Sequence, residues 1–107
     1  MRLAIKELGS GQVPTTTTTL YACPSGKQAI VRNMSFMNGS SGAVTMNLYV
    51  VKASSSRRLF QNNLPLPSHF RVVEDDSVTL ESGDSIQGDC NTGSAVDYVL
   101  NGLENQL

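Results

Sequence analysis

The sequence predicts an all-β fold: a single antiparallel β-sandwich of jelly-roll or Greek-key type, built from about eight short strands. Three observations lead there. Apolar residues recur with period two, turn residues interrupt them at short intervals, and no window holds ten residues of helical periodicity. The composition agrees, with 13 Ser, 8 Thr and 8 Asn among 107 residues. These residue types suit turns and strand surfaces better than helix interiors.

The candidate strands lie near residues 3–6, 16–22, 28–37, 43–52, 58–61, 69–73, 77–81, 84–90 and 95–101, the first of them the faintest. Residues 1–14 read as an N-terminal arm and 103–107 as a C-terminal tail, both loose unless a neighbour binds them. The run Thr15 to Thr19 reads as a β-branched edge strand or extended arm. In the stretch 28–37, Ile30, Met34 and Phe36 share a parity that Arg32 interrupts, through a bulge or an ion pair. Val44, Met46, Leu48 and Val50 alternate cleanly with Thr45, Asn47, Tyr49 and Val51, as in a strand with one face on a core. Pro65 and Pro67 bracket Leu66 in a segment unsuited to a central strand, which reads as a long crossover. Val78-Thr79-Leu80 repeats the alternation briefly, and Val96, Tyr98 and Leu100 carry it again. Between these runs fall Pro24-Ser25-Gly26, Asn38-Gly39-Ser40, Ser54-Ser55-Ser56, Glu74-Asp75-Asp76, Ser82-Gly83-Asp84 and Asn91-Thr92-Gly93.

A length of 107 residues fits one domain spanning 1–107. The net charge of −1 gives no general pull towards nucleic acid or an anionic membrane. No apolar run is long enough to cross a bilayer. Met1 to Glu7 lacks the apolar stretch of a secretory signal, so synthesis and folding in a cytoplasm are expected. The near-zero charge conceals a split. Residues 1–71 hold all eight bases and one acid, Glu7, whereas 72–107 hold eight acids and no base. Such a split supports cross-strand pairs within a subunit, or an acidic edge meeting a basic edge head-to-tail between subunits.

The chemistry-bearing residues form no catalytic set. His69 is the only histidine and no G-x-S-x-G is present. Gly83-Asp84-Ser85-Ile86 superficially resembles the nucleophile block of GDSL hydrolases, but no histidine follows it, and it reads as a turn entering a strand. Gly26-Lys27-Gln28 lacks the rest of a phosphate loop. Glu74, Asp75 and Asp76 are contiguous, which fits a solvated turn better than a Ca²⁺ site. Cys23 and Cys90 lie far apart with no Cys or His cluster, so no zinc site is expected, and cytoplasmic synthesis favours free thiols. Arg57-Arg58 before Leu59-Phe60 is the one local hint of a nucleic-acid surface, and it is slight.

Five segments carry a family resemblance: Leu20-Tyr21-Ala22-Cys23-Pro24-Ser25-Gly26-Lys27, Ala29-Ile30-Val31-Arg32-Asn33, Val44-Thr45-Met46-Asn47-Leu48-Tyr49, Leu80 to Gly88 and Val96 to Gly102. Through them Leu20 to Glu104 resembles the small all-β virion structural proteins of tailed bacteriophages and prophages. The resemblance implies a jelly-roll-like sandwich acting as an oligomeric structural part. The expected function is a non-enzymatic capsid decoration or cement protein, homotrimeric, that binds major capsid subunits at the capsid surface without cofactor, nucleic acid or membrane. The residues expected to bind the partner are Thr15, Thr16, Thr17, Arg57, Arg58, Phe60, Leu64 and Leu66. A tail, baseplate or fibre-associated subunit and a carbohydrate-binding jelly roll are the alternatives.

Overall fold

The computed structural model describes residues 2–53 and 55–106. Met1, Ser54 and Leu107, which fall in the expected arm, a serine turn and the expected tail, lie outside the described residues. The strands are β1 (Arg2–Gln12), β2 (Thr18–Ala22), β3 (Lys27–Asn38), β4 (Val44–Lys52), β5 (Ser55–Arg58), β6 (Leu64–Leu66), β7 (Arg71–Glu74), β8 (Val78–Leu80), β9 (Ser85–Cys90) and β10 (Val96–Gln106). No helix occurs among the described residues.

The strands form two antiparallel sheets. The first runs β1-β10-β3-β7 with β8 also on β3, and the second runs β2-β9-β4-β5 with β6 also on β4. β7 and β8 share β3 between them, on Met34–Met37 and Ala29–Val31, and β5 and β6 divide β4 in the same way. Each sheet therefore has four strand positions. The expected strands near 69–73 and 77–81 share one of these positions, and β5 and β6 share another.

The pairing is nested. Arg2 pairs with Gln106, Thr18 with Gly88, Ala29 with Leu80, Val44 with Leu66 and Lys52 with Ser55, each pair inside the one before. The chain is thus one long hairpin, rolled so that β10 also meets β3 and β9 also meets β4. That is a jelly roll. Its nesting puts loops 13–17, 39–43, 67–70 and 91–95 at one end of the sandwich. Loops 23–26 and 81–84 and the β4–β5 turn close the other end.

Strand alternation fills the space between the sheets. Met34, Phe36, Met46, Leu48, Leu80, Ile86, Val96 and Leu100 are completely buried. Each contributes about 1.5–3 kcal/mol through the water its side chain leaves. Arg32 is accommodated by a bulge: β10 pairs Asn101 with Asn33 and then Gly102 with Val31, so Arg32 is skipped and turns outward to solvent. Gly102 is required there, because a Cβ would collide with the Ile30 carbonyl oxygen.

Four expectations are corrected. Residues 2–12 are not a loose arm, because β10 pairs them from Arg2 to Gln12, and 103–106 are likewise the end of β10, held between β1 and β3. The fifth strand is Ser55–Arg58 rather than 58–61, because Leu59 and Phe60 turn inward after it. The segment around Pro65 is a short strand; on an open edge, β6 needs no amide proton from the proline. Phe60 and Leu66 belong to the core.

Candidate assembly surfaces

The outer face of the second sheet carries a connected polar network. Alternation that sends Met46 and Leu48 inward turns Asn47 and Tyr49 outward. Asn47 Oδ1 accepts hydrogen bonds from Arg58 Nη1 and from the Asn63 backbone amide, each at 2.8 Å. Asn47 Nδ2 donates to Asp89 Oδ1 at 2.9 Å and to Asn63 Oδ1 at 3.1 Å. Thr17 Oγ1 in turn donates to Asp89 Oδ2 at 2.7 Å. The Arg58 guanidinium lies 5.1 Å from the centre of the Tyr49 ring, a cation–π contact of about 0.5–1 kcal/mol at such an exposed site. An acid and a base from distant strands are therefore joined through one nearly buried amide.

Asn38 organises the end that bears loops 39–43 and 67–70. It is fully buried at the end of β3, and its Nδ2 donates to the carbonyls of Gly42 and Leu66 at 2.9 Å and of Pro67 at 3.2 Å. Its Oδ1 accepts from Ser40 N and Ser40 Oγ. Ser68 Oγ adds a bond to the Ser40 carbonyl. Loops 39–43 and 67–70 are thus tied together, and the tie projects His69 (φ 60°) and the half-exposed Phe70 at the tip. Asn38 begins an Asn-Gly-Ser triplet, but its amide is committed to these carbonyls.

The early-base, late-acid split is realised within the subunit at the other end. Lys27 pairs with Glu104 at 3.3 Å and Lys52 with Asp84 at 3.2 Å. Tyr21 OH donates to Glu104 Oε2 at 2.6 Å. Burial, reinforced by this bond and the Glu104 charge, holds the Tyr21 phenol well above the ordinary tyrosine value. Burial and then the Glu104 charge also push the Cys23 thiol up. Asp84 moves the other way: the Glu81 backbone amide, helped by Lys52 against the cost of burial, holds its carboxyl below the usual range.

The expected partner-binding residues divide into two groups. Thr15 and Thr16 are exposed in loop 13–17, Thr17 joins the Asp89 network, and Arg57 and Arg58 are exposed on β5. Phe60 stands edge-on to Phe36 with ring centres 5.6 Å apart, Leu66 is fully buried, and Leu64 packs half-buried against the core. Phe60 and Leu66 are therefore not surface anchors. Sequence reasoning missed Asn47, Asp89, Asn38, Phe70 and Val73. Asn47 was legible as an outward position of the cleanest alternating strand; the others depend on which loops meet.

Among the described residues, no acid or serine is hydrogen-bonded to His69, and no three His, Cys, Asp or Glu side chains are grouped to hold a metal ion. Glu74 Oε1 caps the Asp76 amide, and Asp75 accepts from Asn33, as in a solvated turn. Gly83 (φ 88°) makes the tight turn that leads Ser85 into β9, where it is buried. Cys23 and Cys90 are free thiols at opposite ends of β9, about 20 Å apart at the rise of a strand, too far for a disulfide. No helix among the described residues is long and apolar enough to cross a membrane.

No family model and no curated protein matches the chain. Solved structures do. A chain of the acid-stable capsid of Helicobacter pylori bacteriophage KHP30 aligns with a TM-score of 0.55 and 16% identity, over 95% of this chain and 86% of that one. A chain of the T13 particle of infectious bursal disease virus aligns at 0.51 and 8% identity, over 96% of this chain and 30% of that one. These neighbours are viral capsid chains. Their fold is the jelly roll described above. A pentameric capsid protein isolated from metagenomic phage sequences is 26% identical with a TM-score of 0.44, over 91% of this chain. This chain spans 59% of the length of that protein.

Proposed function

We propose that the chain is a non-enzymatic structural subunit of a bacteriophage virion, a decoration or cement protein that binds and stabilises major capsid subunits. In this reading it sits on the capsid surface as a homo-oligomer, a trimer at local threefold positions, and is made in the host bacterial cytoplasm. No cofactor, nucleic acid or membrane takes part.

The observation that carries the reading is the nested jelly roll, shared over 95% of this chain with a KHP30 capsid chain. That match takes in 86% of the KHP30 chain, so a small jelly roll is present there as a capsid component. The surfaces suit docking better than catalysis. Thr15 to Thr17, Arg57 and Arg58 offer polar contacts around the Asn47–Asp89 network, and Phe70 replaces Phe60 as an aromatic anchor.

A sugar-binding jelly roll needs an open aromatic platform, and the tyrosines supply none. Tyr21 is buried, Tyr98 lies against Gly11, and Arg58 covers the face of Tyr49. A tail or baseplate position is the rival within the virion.

The test is co-sedimentation of the purified protein with capsid shells from which it has been stripped. Binding that saturates at a fixed ratio to the major capsid subunit is the expected result. Protein that stays in the supernatant at saturating concentration, while binding purified tails, would overturn the capsid assignment.

A further inference from the structure

The chain contains two Asn-Gly steps, Asn38-Gly39 and Asn101-Gly102. This dipeptide is chemically labile, because glycine has no side chain to hinder attack of its amide nitrogen on the asparagine side chain. The glycine nitrogen bonds to the asparagine Cγ, the Cγ–Nδ2 bond breaks, and Nδ2 leaves as ammonia with the amide proton. Water then opens the cyclic imide to aspartate or isoaspartate, and nothing besides water is consumed. Ring closure needs the glycine N–H free and the asparagine backbone turned out of its extended form. The fold therefore decides which step reacts.

Exposure alone would choose Asn101, which is open to solvent, over the fully buried Asn38. The backbone geometry points the other way. Asn101 lies inside β10, paired with Glu7 of β1 on one side and Asn33 of β3 on the other. Turning it means freeing β10 from both neighbours, which opens the first sheet. Asn38 is the last residue of β3 and pairs with Val96, the first of β10. The bonds that hold it are local to that end. The Gly39 amide donates to the Ala95 carbonyl and the Asn38 amide to the Phe70 carbonyl, each at 2.9 Å, and the side chain bridges loops 39–43 and 67–70. Loop-bearing ends open at lower free energy than central strands. Conversion at 38 is also one-way. The new carboxylate has no N–H, so it turns acceptors towards the Gly42, Leu66 and Pro67 carbonyls that the amide satisfies. The tie cannot re-form.

We propose that Asn38-Gly39 is a self-modification site of the folded protein. Local opening of loops 39–43 and 67–70 lets Asn38 deamidate, and the product leaves that end of the sandwich permanently loosened. Asn101-Gly102 stays intact until the first sheet opens. The affected end carries His69 and the half-exposed Phe70, so conversion changes the tip without cutting the chain. The inference does not depend on where the chain acts.

Peptide mapping by mass spectrometry tests this in the folded protein and, in parallel, in protein unfolded in guanidinium chloride at the same pH and temperature. Both steps are expected to convert in the unfolded chain. In the folded protein Asn38 is expected to convert at least about tenfold faster than Asn101. Ser68→Ala, at an exposed position, removes the bond from Ser68 Oγ to the Ser40 carbonyl. It should speed conversion at Asn38 severalfold and leave Asn101 unchanged. Gly39→Ala should slow conversion sharply. Gly39 has no positive φ and an added Cβ meets nothing closer than the Ala95 carbonyl oxygen at 3.9 Å, so the fold tolerates a side chain that hinders ring closure. Hydrogen exchange of the converted fraction should show loops 39–43 and 67–70 loosened and the β1–β10 pairing unchanged. Asn38→Asp should show the same, and if that variant does not fold, the converted fraction supplies the measurement. Four results would each overturn the proposal: Asn101 converting as fast as Asn38 in the folded protein, a folded Asn38 that stays intact while the unfolded chain converts completely, a Ser68→Ala rate equal to that of the wild type, or converted protein whose two loops remain as protected as before.

Discussion

The Tyr21 phenol donates to the Glu104 carboxylate at 2.6 Å, tying β2 of the second sheet to β10 of the first. Lys27 on β3 approaches the other carboxylate oxygen. Between the sheets such a bond is shielded from water, and Tyr21→Phe removes it without replacing the donor. Tyr21→Phe is therefore expected to destabilise the fold by about 1–3 kcal/mol. Urea unfolding checks this: the midpoint should fall while the slope stays constant.

Tyrosine ionisation gives an independent reading of the same site. Burial raises Tyr21 and also Tyr98, so both phenols are expected to ionise above the ordinary tyrosine range when phenolate absorbance is followed through an alkaline titration. A raised folded-state value means that the stabilisation is complete below the unfolded tyrosine value and is lost as pH rises through the folded one. The Tyr21→Phe protein should lose one late-titrating group.

Asp84 governs the acid limb. Its carboxyl is held down by the Glu81 amide and by Lys52, so its contribution is present above the unfolded carboxylate value and disappears as pH falls through the lower folded one. Thermal melts from neutral pH to below pH about 4 should show the wild type losing stability at the acid end. Asp84→Asn should start lower at neutral pH and depend less on acid.

Asn38 is expected to be among the most sensitive polar positions. Asn38→Ala removes the donor that satisfies the buried Leu66 carbonyl, together with those to the Gly42 and Pro67 carbonyls, at an expected cost of about 1–3 kcal/mol. Hydrogen exchange should show loops 39–43 and 67–70 loosened together, with the far end of the sandwich unchanged.

Both thiols are buried, and that of Cys23 is raised. Alkylation under native conditions should be slow at both cysteines and become rapid only in denaturant. Mass spectrometry of the untreated protein should find no intramolecular disulfide.

The strands that carry most of the core were legible because alternation is a local property. Val44 to Val51 and Val96 to Leu100 declare both their faces, and each folds as read. What was not legible depends on partners. Arg2 to Gln12 has little alternation of its own and becomes a strand because β10 pairs it along its length. Pro65 looks like a breaker until β6 is seen at an open edge. Phe60 and Leu66 look like surface anchors in sequence because sequence does not encode depth; Phe36 and the inner faces of the sheets decide it. The Asn47–Asp89–Thr17 network joins residues from three separate segments, which only the nested pairing brings together.

The capsid assignment is most directly tested by an electron cryomicroscopy map of the virion that contains the chain. Regular copies of the jelly roll are expected over the whole shell, seated on major capsid subunits. Density for it at the tail or baseplate, with a bare shell, would contradict the account.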